Sequence, residues 1–274
     1  MLSGGAPHSV GDPPPYPRRM DLPLESARLA AWTTACLAGL VAPDDLADVA
    51  ASAGRIHRVA GLDAADAVVS LPLAAADLRR GGARCAWLVW PAPGDAAGLP
   101  GPAEVNRLLL AAGQGVLVEP DADEDAALGL IPSHLGASGV LWTAVPTGRV
   151  LDARTSLSEA DRALKAAVRE STDALETLDV ARVRDEDAGQ VEHARHRAPA
   201  LELPPGYSPR ARMALDTAGR LTALLDIAAR DDGGSINRAE ADGRRAVLRE
   251  LEHAVRRAFV AAVNSLAEDH ARAR

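Results

Sequence analysis

Cys85-Ala86-Trp87-Leu88-Val89-Trp90 is apolar at both alternating sets of positions. A strand with one face in water alternates apolar and polar residues, so this run predicts a strand covered on both sides. Trp87 and Trp90 are expected to be buried on opposite faces of that strand, placed centrally in a sheet. Upstream, residues 24–40 read as a helix with Leu29, Trp32, Cys36 and Leu40 on one face. Pro43 then opens a short second helix that Gly54 ends. Residues 55–60 read as a strand, and a short helix runs from about Pro72 to Gly81. Downstream, residues 102–112 form a helix with Pro102 first and Gly113 closing it. Apolar runs at 115–118, 128–131 and 140–145 are further strands. Strands alternating with helices predict an α/β domain over residues 22–150, with three to five strands and flanking helices.

Past residue 150 the composition shifts. Charged residues make up about a sixth of residues 1–150 and about a third of residues 151–274. A helix starts near Ser158, with Asp161 three residues on in the manner of a capping box. A polar stretch covers 182–205, and Ser208-Pro209 opens a second helix that Asp231-Asp232-Gly233-Gly234 breaks. Asn237 and Glu240 can cap a third, which reaches about Glu268 with Leu248, Leu251, Val255, Phe259, Ala262 and Leu266 as its stripe. Residues 151–274 are thus an α-helical region whose second and third helices pair as an antiparallel hairpin. Residues 1–21, Pro- and Gly-rich, read as a disordered tail.

Composition excludes several classes. The 274 residues are 47% hydrophobic but only 3% aromatic, so the core is built from Ala, Leu and Val. About a fifth of the chain is Ala, and Lys165 is the only lysine, the bias of a GC-rich coding sequence. Arginine abundance is therefore weak evidence of phosphate recognition. The formal net charge of −8 and the scarcity of aromatics disfavour a nucleic-acid partner. No apolar run reaches the ~20 residues a membrane span needs, and the amino terminus lacks a signal peptide's apolar core. A cytoplasmic location follows, with Cys36 and Cys85 as buried free thiols.

Motif searches return little chemistry. A P-loop needs Gly-Lys-Ser/Thr, and the only lysine follows Leu164. Gly136-Ala-Ser138-Gly139-Val140 lacks the second glycine of a nucleophile elbow. Asp121, Asp123 and Asp125 match the first ligands of a calcium loop, but Ala126 and Pro132 replace its Gly and Glu. His193 and His196 lie among arginines and cannot close a zinc site. No cofactor and no metal is expected.

One constellation carries more. In open α/β sheets ligands bind beyond the carboxyl ends of the strands. The loops after Trp90 and after Val118 are expected to meet there, bringing together Asp95, Asn106 and Glu119 as candidate catalytic residues. The segment from Trp90 to Val118 also resembles a stretch of unannotated proteins of GC-rich bacteria, over about thirty residues, and no function attaches to it.

Two functions stay open. One is a non-enzymatic binding or scaffold protein that associates through its C-terminal amphipathic helices, with a protein partner or as a homodimer. Its interface would be Phe259, Val260, Val263 and Leu266. The other is a small-molecule enzyme with a carboxylate-based site at the sheet edge. The absence of any nucleophile–base pair in the sequence favours the first.

Overall fold

The computed structural model describes residues 23–52, 55–62, 67–92, 94–96, 98–120, 127–136, 138–149, 154–177, 189, 191–192, 201–229 and 238–273. The Pro-rich tail, Asp121, Asp123 and Asp125, His193 and His196, and the 231–234 breaker lie outside them. The N-terminal region holds α1 (Leu24–Leu37), α2 (Pro43–Ser52), α3 (Leu71–Arg80) and α4 (Ala103–Ala112). Its strands are β1 (Ile56–Ala60), β2 (Val69–Ser70), β3 (Ala83–Val89), β4 (Gly115–Pro120), β5 (Ala127–Leu135) and β6 (Gly139–Thr147). The C-terminal helices are α5 (Leu157–Thr177), α6 (Pro209–Ala228) and α7 (Arg238–Arg272).

The strands form one six-stranded sheet in the order β2-β1-β6-β5-β4-β3. That is one strand more than the expected range. The extra one, β2, is two residues long, too short to show a period in sequence. Only β1 and β6 run parallel, and every other neighbouring pair is antiparallel. The N-terminal region is thus α/β with a mostly antiparallel sheet, followed by packed helices.

The alternation read from residues 85–90 is observed. Ala86 and Leu88 join the larger core with α1, α3 and α7, and Trp90 follows them there. Cys85, Trp87 and Val89 join a smaller core with Val105 and Leu109 of α4. Both tryptophans are buried, on opposite sides, as expected. The expected central position is corrected: β3 ends the strand order. Burial at an edge is possible because α1 and α7 cover it.

An edge strand turns alternate N–H and C=O groups away from its sheet, and buried ones must find partners. Side chains supply them here. The hydroxyl of Thr34 in α1 accepts from the Ala86 N–H at 3.0 Å and donates to the Ala86 carbonyl at 2.8 Å. Asn264 of α7 presents a whole carboxamide to Leu88. Its Oδ1 accepts from the Leu88 N–H at 2.7 Å, and its Nδ2 donates to the Leu88 carbonyl at 3.1 Å. Asn264 therefore acts as a one-residue surrogate strand.

Helix ends follow local chemistry. Ser208 caps α6 by accepting from the Ala211 N–H at 3.2 Å, with Pro209 at the first helical position. The capping box of α5 is two residues earlier than the sequence reading placed it. Ser156 and Glu159 close it reciprocally, the Ser156 N–H donating to Glu159 and the Glu159 N–H to Ser156. Asp161 is freed to pair with Lys165 and Arg210. The main core cluster includes Val255, Ala258, Phe259 and Ala262 of α7, so the long helix is seated in the same core as the sheet.

Candidate functional site

The sheet edge held by Asn264 borders a cavity of about 80 Å³. One wall is β3 and the residue after it, with Trp87, Val89 and Trp90. The opposite wall is α7, with Arg256, Arg257, Val260, Asn264 and Glu268. Asp95 and Arg154 close the sides. Asn264, whose carboxamide bonds Leu88, stands in the wall where helix meets strand.

Asp95 reaches the cavity from a tight turn. Ala92 and Asp95 exchange backbone hydrogen bonds of 3.2 and 2.9 Å, and Gly94 takes a φ of +82° within the turn. A glycine at positive φ is what the third position of a type II turn favours. The Asp95 side chain is mostly buried. His253 Nδ1 lies 3.0 Å from one carboxylate oxygen, and Arg257 lies 3.8 Å from the other.

The arginines differ in their partners. Arg154 stacks over the Trp87 ring at 3.8 Å and forms a salt bridge with Glu119. Arg256 stacks over the Trp90 ring at 4.7 Å. Among the described residues it has neither a hydrogen bond nor a salt bridge. Burial pulls its guanidinium down from the ordinary arginine range, while the fields of Asp95 and Glu252 pull it back up. Burial likewise pushes the Glu252 carboxyl up, and Arg256 opposes that shift. The Trp87 indole N–H, of a residue in the same wall, is buried without an acceptor among the described residues.

The three carboxylate-edge candidates separate. Because β3 and β4 are antiparallel, Glu119 pairs with Cys85 near the start of β3, while Asp95 follows its end. The two loops therefore leave opposite ends of the sheet, against the shared edge expected from open parallel sheets. Glu119, 3% exposed, is not itself in the cavity lining but forms a salt bridge with Arg154, which is. Asn106 lies in α4, where its Oδ1 accepts from the Gly101 N–H at 2.9 Å and braces the turn that Thr147 also grips.

Of the residues expected at a helical interface, Phe259 is 0% exposed and meets Trp90 edge-on at 5.6 Å. Val263 and Leu266 are buried as well, and Val260 lines the cavity. The apolar stripe of α7 is spent on the chain's own sheet and helices. Arg154, His253, Arg256, Arg257 and Asn264 were missed by the sequence reading. The adjacent Arg256-Arg257 pair was their only signal, and it is faint in a chain where arginine replaces lysine throughout.

Among the described residues no group of three or more His, Cys, Asp or Glu is placed to hold a metal ion. No helix there is long and apolar enough to cross a membrane. The chain belongs to the Rv1486c-like family. The family's N-terminal domain model matches residues 26–157 and its C-terminal domain model residues 158–260. It is similar to "Uncharacterized protein Rv1486c" of Mycobacterium tuberculosis (strain ATCC 25618 / H37Rv), 29% identical over 88% of this chain and 96% of the relative. It is also similar to "Uncharacterized protein ML1804" of Mycobacterium leprae (strain TN), 27% identical with the same coverage. These relatives bear out the resemblance to an unannotated family of GC-rich bacteria. No solved structure matches the chain.

Proposed function

We propose that the chain is a non-catalytic binding protein whose site is the cavity between β3 and α7. The observation that carries this reading is Arg256, a half-buried guanidinium on a cavity wall with no protein acceptor among the described residues. A concave site with apolar walls and a few convergent polar groups is the usual form of a small-molecule site. The C-terminal helices serve binding by walling this cavity. Two-fold association would have to use their outer faces, such as the groove between α5 and α6 where Met213 is 69% exposed. Monomeric light scattering at high micromolar concentration removes that addition.

Val260→Trp, which fills the cavity from its wall, tests the reading. A fragment panel of neutral, cationic and anionic compounds should include binders that raise the thermal midpoint of the wild-type chain and not of the variant. A panel that stabilises neither chain, or both alike, refutes it.

The enzyme reading rests on one observation, the pairing of cavity-lining Asp95 with His253 at 3.0 Å. A carboxylate that orients an imidazole is half of an acid–base device. Mass spectrometry of a bound compound after prolonged incubation separates the two. Unchanged recovery is expected from a binding protein.

A further inference from the structure

We infer that the ligand of the β3–α7 cavity is a small monoanionic organic acid, a carboxylate carried on a flat apolar group and anchored by Arg256. The inference rests on the binding function proposed above and narrows it to one chemical class.

The unmatched groups of the wall set the ligand's polarity. Among the described residues Arg256 and the Trp87 indole N–H have no hydrogen-bond acceptor, and both are donors. Asn264, by contrast, spends its carboxamide on Leu88, and Asp95 already faces His253 and Arg257. The ligand must therefore bring acceptors. Arg256 holds its guanidinium carbon 4.7 Å from the Trp90 ring centroid, a contact that uses the cation's charge and none of its N–H donors. Two parallel N–H donors of a guanidinium match the two oxygens of a carboxylate.

The charges set its valence. Three arginines, Arg154, Arg256 and Arg257, line the cavity with two acids, Asp95 and Glu268. Arg154 is committed to Glu119 and Arg257 stands by Asp95, while Glu268 pairs with Arg272. One cation, Arg256, is left without a salt bridge among the described residues, with Asp95 and Glu252 acting on it only through their fields. A monoanion supplies the missing ion pair. A phosphate dianion would place an excess negative charge in a half-buried site beside Asp95, where charge is costly.

The volume sets its size. A single water occupies about 10–15 Å³ on this scale. The cavity's roughly 80 Å³ thus accepts about half a dozen water-sized groups. That is the scale of one ring and a carboxylate, and far below a dinucleotide. The ring would lie against Val89 and Val260, which belong to the apolar part of the wall.

The test uses the full-length chain labelled with nitrogen-15, whose four indole N–H signals report separately on Trp32, Trp87, Trp90 and Trp142. Benzoate is titrated against benzyl alcohol, its neutral counterpart, and against phenyl phosphate. Benzoate should move the Trp87 and Trp90 signals saturably and leave those of Trp32 and Trp142 in place. The alcohol and the phosphate should each bind at least tenfold more weakly. Arg256→Gln should weaken benzoate at least tenfold, to the level of the alcohol.

If benzoate and benzyl alcohol bind equally, or if phenyl phosphate binds best, the carboxylate inference falls while the binding function stands. If no probe moves the Trp87 or Trp90 signals, both fall. Should Arg256→Gln fail to fold, the three-ligand comparison on the unaltered chain still decides.

Discussion

The two edges of the sheet solve one problem in opposite ways. At the β2 edge the solution is brevity: two residues, Val69 and Ser70, pair with β1 and the strand stops. A template this short offers almost nothing for another strand to join. At the β3 edge the strand is seven residues long and apolar throughout its buried positions, so it must be covered. The cover comes from helices whose side chains, Thr34 and Asn264, stand in for a missing strand. The difference teaches that an edge strand too long and apolar to be left open is finished by side chains of its covering helices, one of which, Asn264, also lines the cavity of about 80 Å³.

The largest effect is expected at the covered edge. Trp87→Ala removes a buried ring beneath Arg154 and should cost roughly 3–5 kcal/mol in urea unfolding, the usual range for core aromatic truncation. A loss below about 1 kcal/mol would break the comparison, because β3 would then be an exposed edge like β2.

Asn264→Leu comes next. The substitution keeps side-chain size but leaves the Leu88 N–H and C=O without partners in a buried site. Each orphaned backbone group costs about 1–3 kcal/mol, so a total of about 2–4 kcal/mol is expected after the gain from added apolar surface. Thr34→Val does the same to Ala86 and should fall slightly lower in that range. Both variants should also aggregate more readily from partly unfolded states. An Asn264→Leu chain as stable as wild type would show that water reaches the β3 edge.

How legible all this is in the sequence depends on the range of the interaction. Residues 85–90 announce a doubly covered strand because burial on each face is written into consecutive residues. The same run says nothing of strand order, which β4 and β6 decide from a distance. β2 is invisible because two residues carry no period. Asp95 was reachable because a Pro-Gly turn after a strand end is local. Its partner His253 lies on α7, and no spacing rule links them. Glu119 was paired with Asp95 on the assumption of parallel strands, and antiparallel pairing sends it to the other end. Phe259 lies on a stripe that was legible, but a stripe does not say whether its cover comes from the same chain.

A smaller effect tests the sheet beside its short edge. His57 of β1 is buried, and the Trp142 indole N–H donates to its Nδ1 at 3.1 Å. The imidazole must be neutral to accept, and burial pulls its pKa below the ordinary 6.5, with Glu25 opposing. The folded state therefore binds a proton less readily than the unfolded chain. Stability is complete above about pH 6.5 and falls as pH drops toward the lowered folded value. Carboxylates also titrate on acidification, so the control is His57→Gln, which removes the titrating imidazole and should flatten the slope between pH 7.5 and 5.5. An unchanged slope in that variant would refute the His57 assignment.

The smallest effect is expected at the short edge itself. Val68 precedes β2 and is 59% exposed, an apolar side chain already in water. Val68→Lys should change stability by no more than about 0.5 kcal/mol, since surface substitutions away from packed features rarely do more. A charge at this place also discourages pairing with another chain, so solubility should hold or improve. The comparison between edges depends on this null result as much as on the losses at β3. If brevity alone protects β2, nothing leans on Val68 and the lysine is indifferent. A loss above about 1 kcal/mol in urea unfolding would mean that Val68 is covered in solution. The β2 edge would then be a contact surface, and the comparison between the two edges would fail.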